Sequence, residues 1–489
     1  MQANETDSPV PWPRLGVSRT GQVLPTSAGL SSLRSIDRGG LTTVTYVDTV
    51  RAAARHWRGG YGGTNGCQLS DRWPDRDEFD VTGHPHALVV GAGIAGTAVG
   101  LVLRRIGWRV TLLEARPERE QPLGSYFSLA DNGRTVLRGL GILPAVEAVG
   151  TATHRISFHD HRGREIGSNN QASTLIRRDR LGGALREAAR RAGVRIIHDA
   201  RMVGLCDDGV GGAVATLADR SSHTGDLLIG ADGVHSRTRR LMFPEHPSAR
   251  FTGVLDGGGS APRVDGIAPD GVLRLTFGNH AFFGHQALPG GEVVWFQSML
   301  AGEEDLAAGP RADPVDRWRT RLVELHRSDH RPISDIIEAS TGTVIRWPVY
   351  DLDPPSRWSR GRVCLIGDAA HAMPPHDGQS ASMALEDALV LARCLDTADD
   401  ISDALVSFQQ LREPRVTMVA GLTRRTGSLK FPTAPRARRA RDAVLGMFIQ
   451  AGVAASEDVN RYHLDWPELA GHPEACRPDG VSTESSSSS

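Results

Sequence analysis

The chain has 489 residues, a 39% hydrophobic fraction, and 56 basic against 57 acidic residues for a net charge of −1. Such length and apolar content allow a large soluble core and exclude fibrous and membrane classes. The balanced charge sets up no global field toward nucleic acid or an anionic membrane, so a charged partner must be met by a local site.

The cations are almost all arginine, Lys430 being the only lysine. Five cysteines (Cys67, Cys206, Cys364, Cys394 and Cys476) have neither CxxC spacing nor metal-ligand grouping. This argues against a disulfide framework or a metal site and fits a reducing cytoplasm. There is no apolar leader and no apolar run of roughly 18 residues, so neither export nor a membrane span is expected.

In chain order, residues 1–84 are rich in Gly, Ser, Thr, Pro and Arg without an apolar period, and read as a largely disordered extension. "HALVVGAGIAGTAVGLVLRRIGWRVTLLEARPE" then gives strand, glycine turn, amphipathic helix and strand, one βαβ unit. The run 177–193 has helical spacing up to a closing glycine. "VRIIHDARMVGLCDD" and "GGAVATLAD" read as meander strands, and "DLLIGADG" as a buried strand ending in a turn.

From 251 to 344, isolated strands such as "GVLRLTFG", "HAFFGHQAL" and "GEVVWFQSML" predict a mostly antiparallel substrate layer, joined by strands near 155–175. "GRVCLIGDAAH" returns to a buried strand and turn, and "SMALEDALVLARCLDTA" to a strong helix. Residues 85–250 and 345–400 thus form a discontinuous nucleotide domain, 401–460 are C-terminal helices, and 461–489 are a mobile tail. The fold class is α/β: a Rossmann-like domain interleaved with an antiparallel substrate sheet.

Gly91, Gly93 and Gly96 form GxGxxG between strand and helix, and Glu114 closes the next strand about 20 residues later. The glycines permit a tight turn and close approach to a pyrophosphate, the helix N-terminus offers free N–H groups, and the carboxylate accepts from ribose hydroxyls. This context predicts a dinucleotide site, for FAD or NAD, against a purely structural glycine turn in an unrelated α/β protein. In "GADGVHSRTRR", Asp232 and Gly233 are also an ordinary turn signal, with Ser236 as a helix N-cap and Arg239 as a solvated helix residue. In "LIGDAAHAMPPHDGQSASMALEDA", Asp368 emerges at the C-terminal end of a buried strand, where open α/β sheets place ligand groups. Pro374 and Pro375 stiffen the loop, Gly378 allows close backbone contact, and a helix starts within 378–382. His371 reads as a satisfied structural histidine and His376 as loop surface.

The order GxGxxG, distant Glu, R-x-x-L at Arg178 to Leu181, DG motif and GDAAH…P…GQ resembles the FAD-dependent monooxygenases of the para-hydroxybenzoate hydroxylase type. The resemblance spans about 88–428 and is strongest to the single-component, salicylate hydroxylase-like and urate hydroxylase-like branch. It implies a glutathione reductase-type FAD domain, non-covalent FAD, and NAD(P)H used as a transient co-substrate with no second nucleotide domain. Gly91, Gly93 and Gly96 would face the pyrophosphate, Glu114 the adenosine ribose, Arg178 the length of the FAD, and Asp368 the ribityl chain. Asp232 would assist indirectly. Gly378, Gln379, Ser380, Ala381 and Ser382 would present N–H groups to the flavin edge, with Ala115, Ser128 and Gly367 among the cofactor's neighbours. No metal and no side-chain nucleophile are implied; Pro374, Pro375 and Gly378 would lie by the flavin ring.

The implied reaction is oxygen transfer from a flavin 4a-hydroperoxide to an aromatic or polycyclic small molecule, as in secondary metabolism. Phe277, Phe282, Phe283, His285, Trp295 and Phe296 are candidates to line its pocket, against a reading of most of them as sheet core. Asp377, Ser380 and Ser382 depart from the family pattern and put the loop's closeness to the flavin in question. Two rivals stay open: an FAD oxidoreductase that inserts no oxygen, reductase or halogenase-like, and a non-catalytic FAD-binding protein. The W-x-W-x-I-P halogenase signature is absent. Oligomeric state is not legible.

Overall fold

His86–Val90 is an unbroken apolar strand buried along nearly its whole length, as expected of a parallel strand covered on both faces. It is central to a six-stranded sheet ordered Ser359–Arg360, Val363–Leu365, Leu227–Gly230, His86–Val90, Arg109–Leu113, Arg195–Ile197. Every pairing in it is parallel except that of the Ser359–Arg360 edge. The Ile94–Arg105 helix packs on this sheet and against the Ser380–Thr397 helix. In this computed structural model the described residues are 83–118, 125–170, 172–207, 212–302, 311–431, 435–460 and Tyr462. The expected leader, up to residue 82, and the expected tail, apart from Tyr462, lie outside them.

An eight-stranded sheet runs Arg311–Pro314, Thr341–Asp351, Arg250–Ala261, Val293–Leu300, Ala281–Ala287, Val272–Phe277, Arg155–Asp160, Glu165–Asn169. Its only parallel pairing joins Val272–Phe277 to Arg155–Asp160. Ser173–Arg177 leaves this sheet and pairs with Tyr126–Leu129 and Thr151–Thr153. The expected meander also divides, because Arg195–Ile197 joins the parallel sheet while Met202–Asp207 pairs with Ala213–Leu217. Val315–His326 and Ile333–Ala339 cover one face of the large sheet. The Pro435–Asn460 helix places Leu445 and Ile449 on the other, beside Phe277 and Phe282. Among the described residues no helix is long and apolar enough to cross a membrane, and no His, Cys, Asp or Glu cluster could hold a metal ion.

Candidate functional site

The three parallel strands His86–Val90, Arg109–Leu113 and Val363–Leu365 end beside one cleft of about 2110 Å³, lined by Gly91, Gly93, Glu114, Ala115, Arg178, Asp232, Asp368, Ser380 and Ala381. The glycines divide the work. Gly91 has φ +101°, and a Cβ there would come within 2.6 Å of Ala231 O; at Gly96 it would come within 1.9 Å of Gly91 O. Both are therefore demanded by the turn itself. At Gly93 a Cβ would meet no protein atom within 4 Å, so that position opens directly onto the cleft.

Glu114 Oε2 accepts from the Ala92 N–H at 2.9 Å and Oε1 from the Arg116 N–H at 3.0 Å, which holds the carboxylate over the glycine turn. Arg178 and Asp368, far apart in sequence, face each other at 3.8 Å, each partly exposed to the cleft. The Asp232 carboxylate caps the short Arg237–Met242 helix, accepting from the Arg237 and Thr238 N–H groups at 2.8 and 2.9 Å and from the Ser236 hydroxyl. Ser236 in turn accepts from the Arg239 N–H at 2.9 Å. Arg239 is not solvated as the turn reading supposed: it is 2% exposed and its guanidinium donates to Ala369 O and Val234 O at 2.7 Å. The DG turn is thereby tied to the GDAAH turn.

Gly367 takes φ +58° and donates its N–H to Asp387 Oδ2 at 2.8 Å. His371 Nε2 meets the same Asp387 oxygen at 2.7 Å in the buried interior, a structural place away from the cleft. Pro375–Asp377 is a 3-10 turn ended by Gly378 at φ +67°, where a Cβ would stand 3.0 Å from Ser128 O. Ser128 thus meets the loop through its backbone; its hydroxyl donates to Ser173 at 2.8 Å. Pro374 is buried and Pro375 exposed. The helix begins at Ser380 with Gln379 as its cap and without a side-chain capping bond. Ser382 is fully buried with its Oγ toward Gly133 rather than the cleft, so its hydroxyl takes no cofactor space. His376 is no surface residue: its Nδ1 lies 3.3 Å from Lys430 Nζ, and burial with Lys430 pushes its pKa down to about 2.

Sequence reasoning missed the buried network behind this loop. Arg412, fully buried, donates to Asp387 Oδ1 and Glu386 Oε2 at 2.7 Å, and Arg415 binds both oxygens of Glu386 at 2.6 Å. Asn132 donates to Glu386 at 2.7 Å and to Gln379 at 3.0 Å, and Gln379 donates to Asn460 at 2.7 Å. Burial alone would raise the Asp387 carboxyl, but His371 and Arg412 outweigh it and hold it well below the usual range. Burial likewise opposes the Arg412 charge, which Asp387 and Glu386 nevertheless hold in place. The signal available was "LEDA", two adjacent acids inside an otherwise apolar helix.

Of the six pocket candidates, Phe283, His285 and Trp295 lie on the sheet face packed against the Val315–His326 and Ile333–Ala339 helices, and so belong to its core. Burial, with Arg274 near, pushes His285 down to about 3. Phe277, Phe282 and Phe296 lie on the opposite face.

A glycine-turn βαβ unit, a carboxylate held over that turn and an aspartate at a parallel strand end define a dinucleotide-binding class. The chain belongs to the FAD binding domain family, whose model matches residues 85–419. It is 32% identical over 345 residues to an aurachin C monooxygenase/isomerase of Stigmatella aurantiaca, covering 68% of this chain and 87% of that one. It is 29% identical over 340 residues to an FAD-dependent urate hydroxylase of Klebsiella pneumoniae, covering 68% and 86%. The structure of Klebsiella pneumoniae HpxO complexed with FAD and uric acid matches 76% of this chain and 97% of its own, with TM-score 0.66 and 24% identity. The protein is an FAD-dependent monooxygenase.

Proposed function

We propose that the protein consumes NAD(P)H and dioxygen to hydroxylate or epoxidise an aromatic or polycyclic small molecule, in the cytoplasm, with Cys206, Cys364 and Cys394 as free thiols. The observation that carries this reading is the position of the Pro374–Gly378 loop. On one side it leads into Ser380 and Ala381 of the cleft, and on the other His376 meets Lys430 beside the aromatic sheet face. A cofactor in the cleft and a substrate on that face would meet at this loop.

The residues fit FAD. Gly93 leaves open space for a pyrophosphate at the start of a helix, whose positive end favours an anion. Glu114 would accept from ribose hydroxyls. Arg178 and Asp368 would flank the ribityl chain, and Gly378 and Gln379 would bring backbone close to the pyrimidine edge. Bound FAD supplies electron storage and activation of dioxygen; the chain supplies position, charge and exclusion of water. The start of the Ser380–Thr397 helix carries roughly half a positive charge and would favour negative charge on the nearby ring by up to about 2 kcal/mol. The buried network fixes that helix start, since Gln379, Asp387 and Glu386 are each anchored.

The test is the visible spectrum of the FAD-loaded protein, recorded anaerobically with NADPH and then on admitting air, together with labelled dioxygen and a substrate panel. Bleaching, recovery and label in an organic product are expected. A flavin that NAD(P)H cannot reduce, or cycling that yields only hydrogen peroxide with every substrate, would overturn the proposal.

A further inference from the structure

Asp256, Ser298, Phe282 and Phe277 are cross-strand neighbours in one row across four strands of the large sheet, on the face away from the Val315–His326 and Ile333–Ala339 helices. The row is aromatic at one end and acidic at the other. Asp256 is 8% exposed, the Ser298 side chain hydrogen-bonds its carboxyl, and its Oδ1 is buried with no hydrogen-bond partner. A buried acceptor without a partner is costly, and native structures retain few of them without a reason.

Lys430, the only lysine of the chain, closes the Ile401–Lys430 helix over this row. It is 4% exposed; its Nζ lies 3.9 Å from the Phe282 ring centroid and 3.3 Å from His376 Nδ1. His376 sits two residues before Gly378, so the ammonium joins the sheet face to the loop that the proposed function places beside the flavin. The same ammonium acts on Asp256, whose carboxyl burial nevertheless pushes above its usual range. Asp256 and the Lys430 ammonium thus stand on the same sheet face as the aromatic row.

We propose that Asp256 and Lys430 form the polar edge of the substrate site. They select a planar ring that carries an N–H or O–H donor beside an oxygen acceptor, a cyclic or vinylogous amide or a phenol, over a ring that carries a carboxylate. The donor goes to Asp256 Oδ1, the acceptor receives from Lys430, and the ring lies along the Phe282 row. A carboxylate has no donor to offer Asp256 Oδ1 and would set two carboxyl groups side by side in a desolvated site, which is disfavoured. The inference rests on the monooxygenase reading, because it takes the Pro374–Gly378 loop as the flavin's neighbour.

The test uses full-length, FAD-loaded protein and equilibrium dialysis with three probes: 4(1H)-quinolone, its N-methyl derivative and quinoline-4-carboxylate. Wild type is expected to bind the N–H quinolone at least about tenfold more tightly than either other probe, the effect of one charge-assisted hydrogen bond. Asp256→Leu should abolish the N–H over N-methyl preference. Asp256→Asn keeps an acceptor oxygen and should keep that preference while gaining about tenfold for the carboxylate probe. Lys430→Met should weaken the quinolone about tenfold. Flavin content equal to wild type identifies folded variants, and the two Asp256 changes move different ratios, which a merely structural aspartate would not do. Equal binding of the N–H and N-methyl probes, no binding by wild type, or ratios unmoved by the variants would overturn the inference. If the flavin is still reduced by NAD(P)H and reoxidised by air, the inference alone falls; if it is not, the monooxygenase reading falls with it.

Discussion

Gly91→Val and Gly93→Val should fail in different ways although the residues are two apart. Gly93 has φ −77° and ψ −166°, extended backbone that valine adopts readily, and a Cβ there meets nothing within 4 Å. Its folding stability should fall by no more than about 1 kcal/mol, the cost of losing a favoured residue at a helix N-cap. The added side chain projects into the cleft at a helix start, where close approach favours an anion by up to about 2 kcal/mol. Losing that approach weakens FAD by about 30-fold. At Gly91, φ +101° and a contact of 2.6 Å to Ala231 O combine. The backbone cost of roughly 1–2 kcal/mol adds to overpacking of roughly 1–3 kcal/mol, so the apo protein itself is destabilised. Urea unfolding without FAD and a fluorescence titration with FAD separate the two. Gly93→Val with wild-type FAD affinity, or with the instability of Gly91→Val, would refute the assignment of the cleft.

Asp368→Ala should weaken FAD by the loss of a charge-assisted bond, about 1.5–3 kcal/mol, read in the same titration. Unchanged affinity would remove Asp368 from the site. Arg412→Met leaves Glu386 and Asp387 buried with less countercharge and should cost about 3–5 kcal/mol in chemical denaturation. The Asp387 carboxyl is held below its usual value in the folded state, so its stabilising share is present above the ordinary carboxylate pKa of about 4 and is withdrawn as pH falls through the folded value. Asp387→Asn should therefore flatten the acid limb of a stability–pH profile, and an unchanged slope would show that Asp387 does not contribute to it.

What could be read from the sequence is what chain neighbours determine. The glycine turn, the strand end at Asp368 and the long helix after it each announce themselves within a few residues, because periodicity and turn chemistry are local. The sheet faces were not legible. Phe282 and Phe283 are adjacent and must point to opposite sides of a strand, but alternation says nothing of which side meets the covering helices. The same limit left His285 and Trp295 open between pocket lining and sheet core, and core is where they lie. Glu386 and Asp387 gave an acid pair without naming Arg412 and Arg415, which come from another helix. Arg239 looked solvated because its receptors, Ala369 O and Val234 O, are backbone atoms with no sequence signature.

The bond from Gln379 to Asn460, and that from Arg415 to Val459 O at 3.0 Å, tie the start of the loop-bearing helix to the last described helix. A ribosome delivers the glycine turn and Glu114 early and Asn460 late. The nascent chain can shape the glycine-turn end of its cleft long before it can fix the Ser380 end. Cofactor capture during synthesis would then proceed from one end, with the redox-active ring held firmly only after residue 460 has emerged.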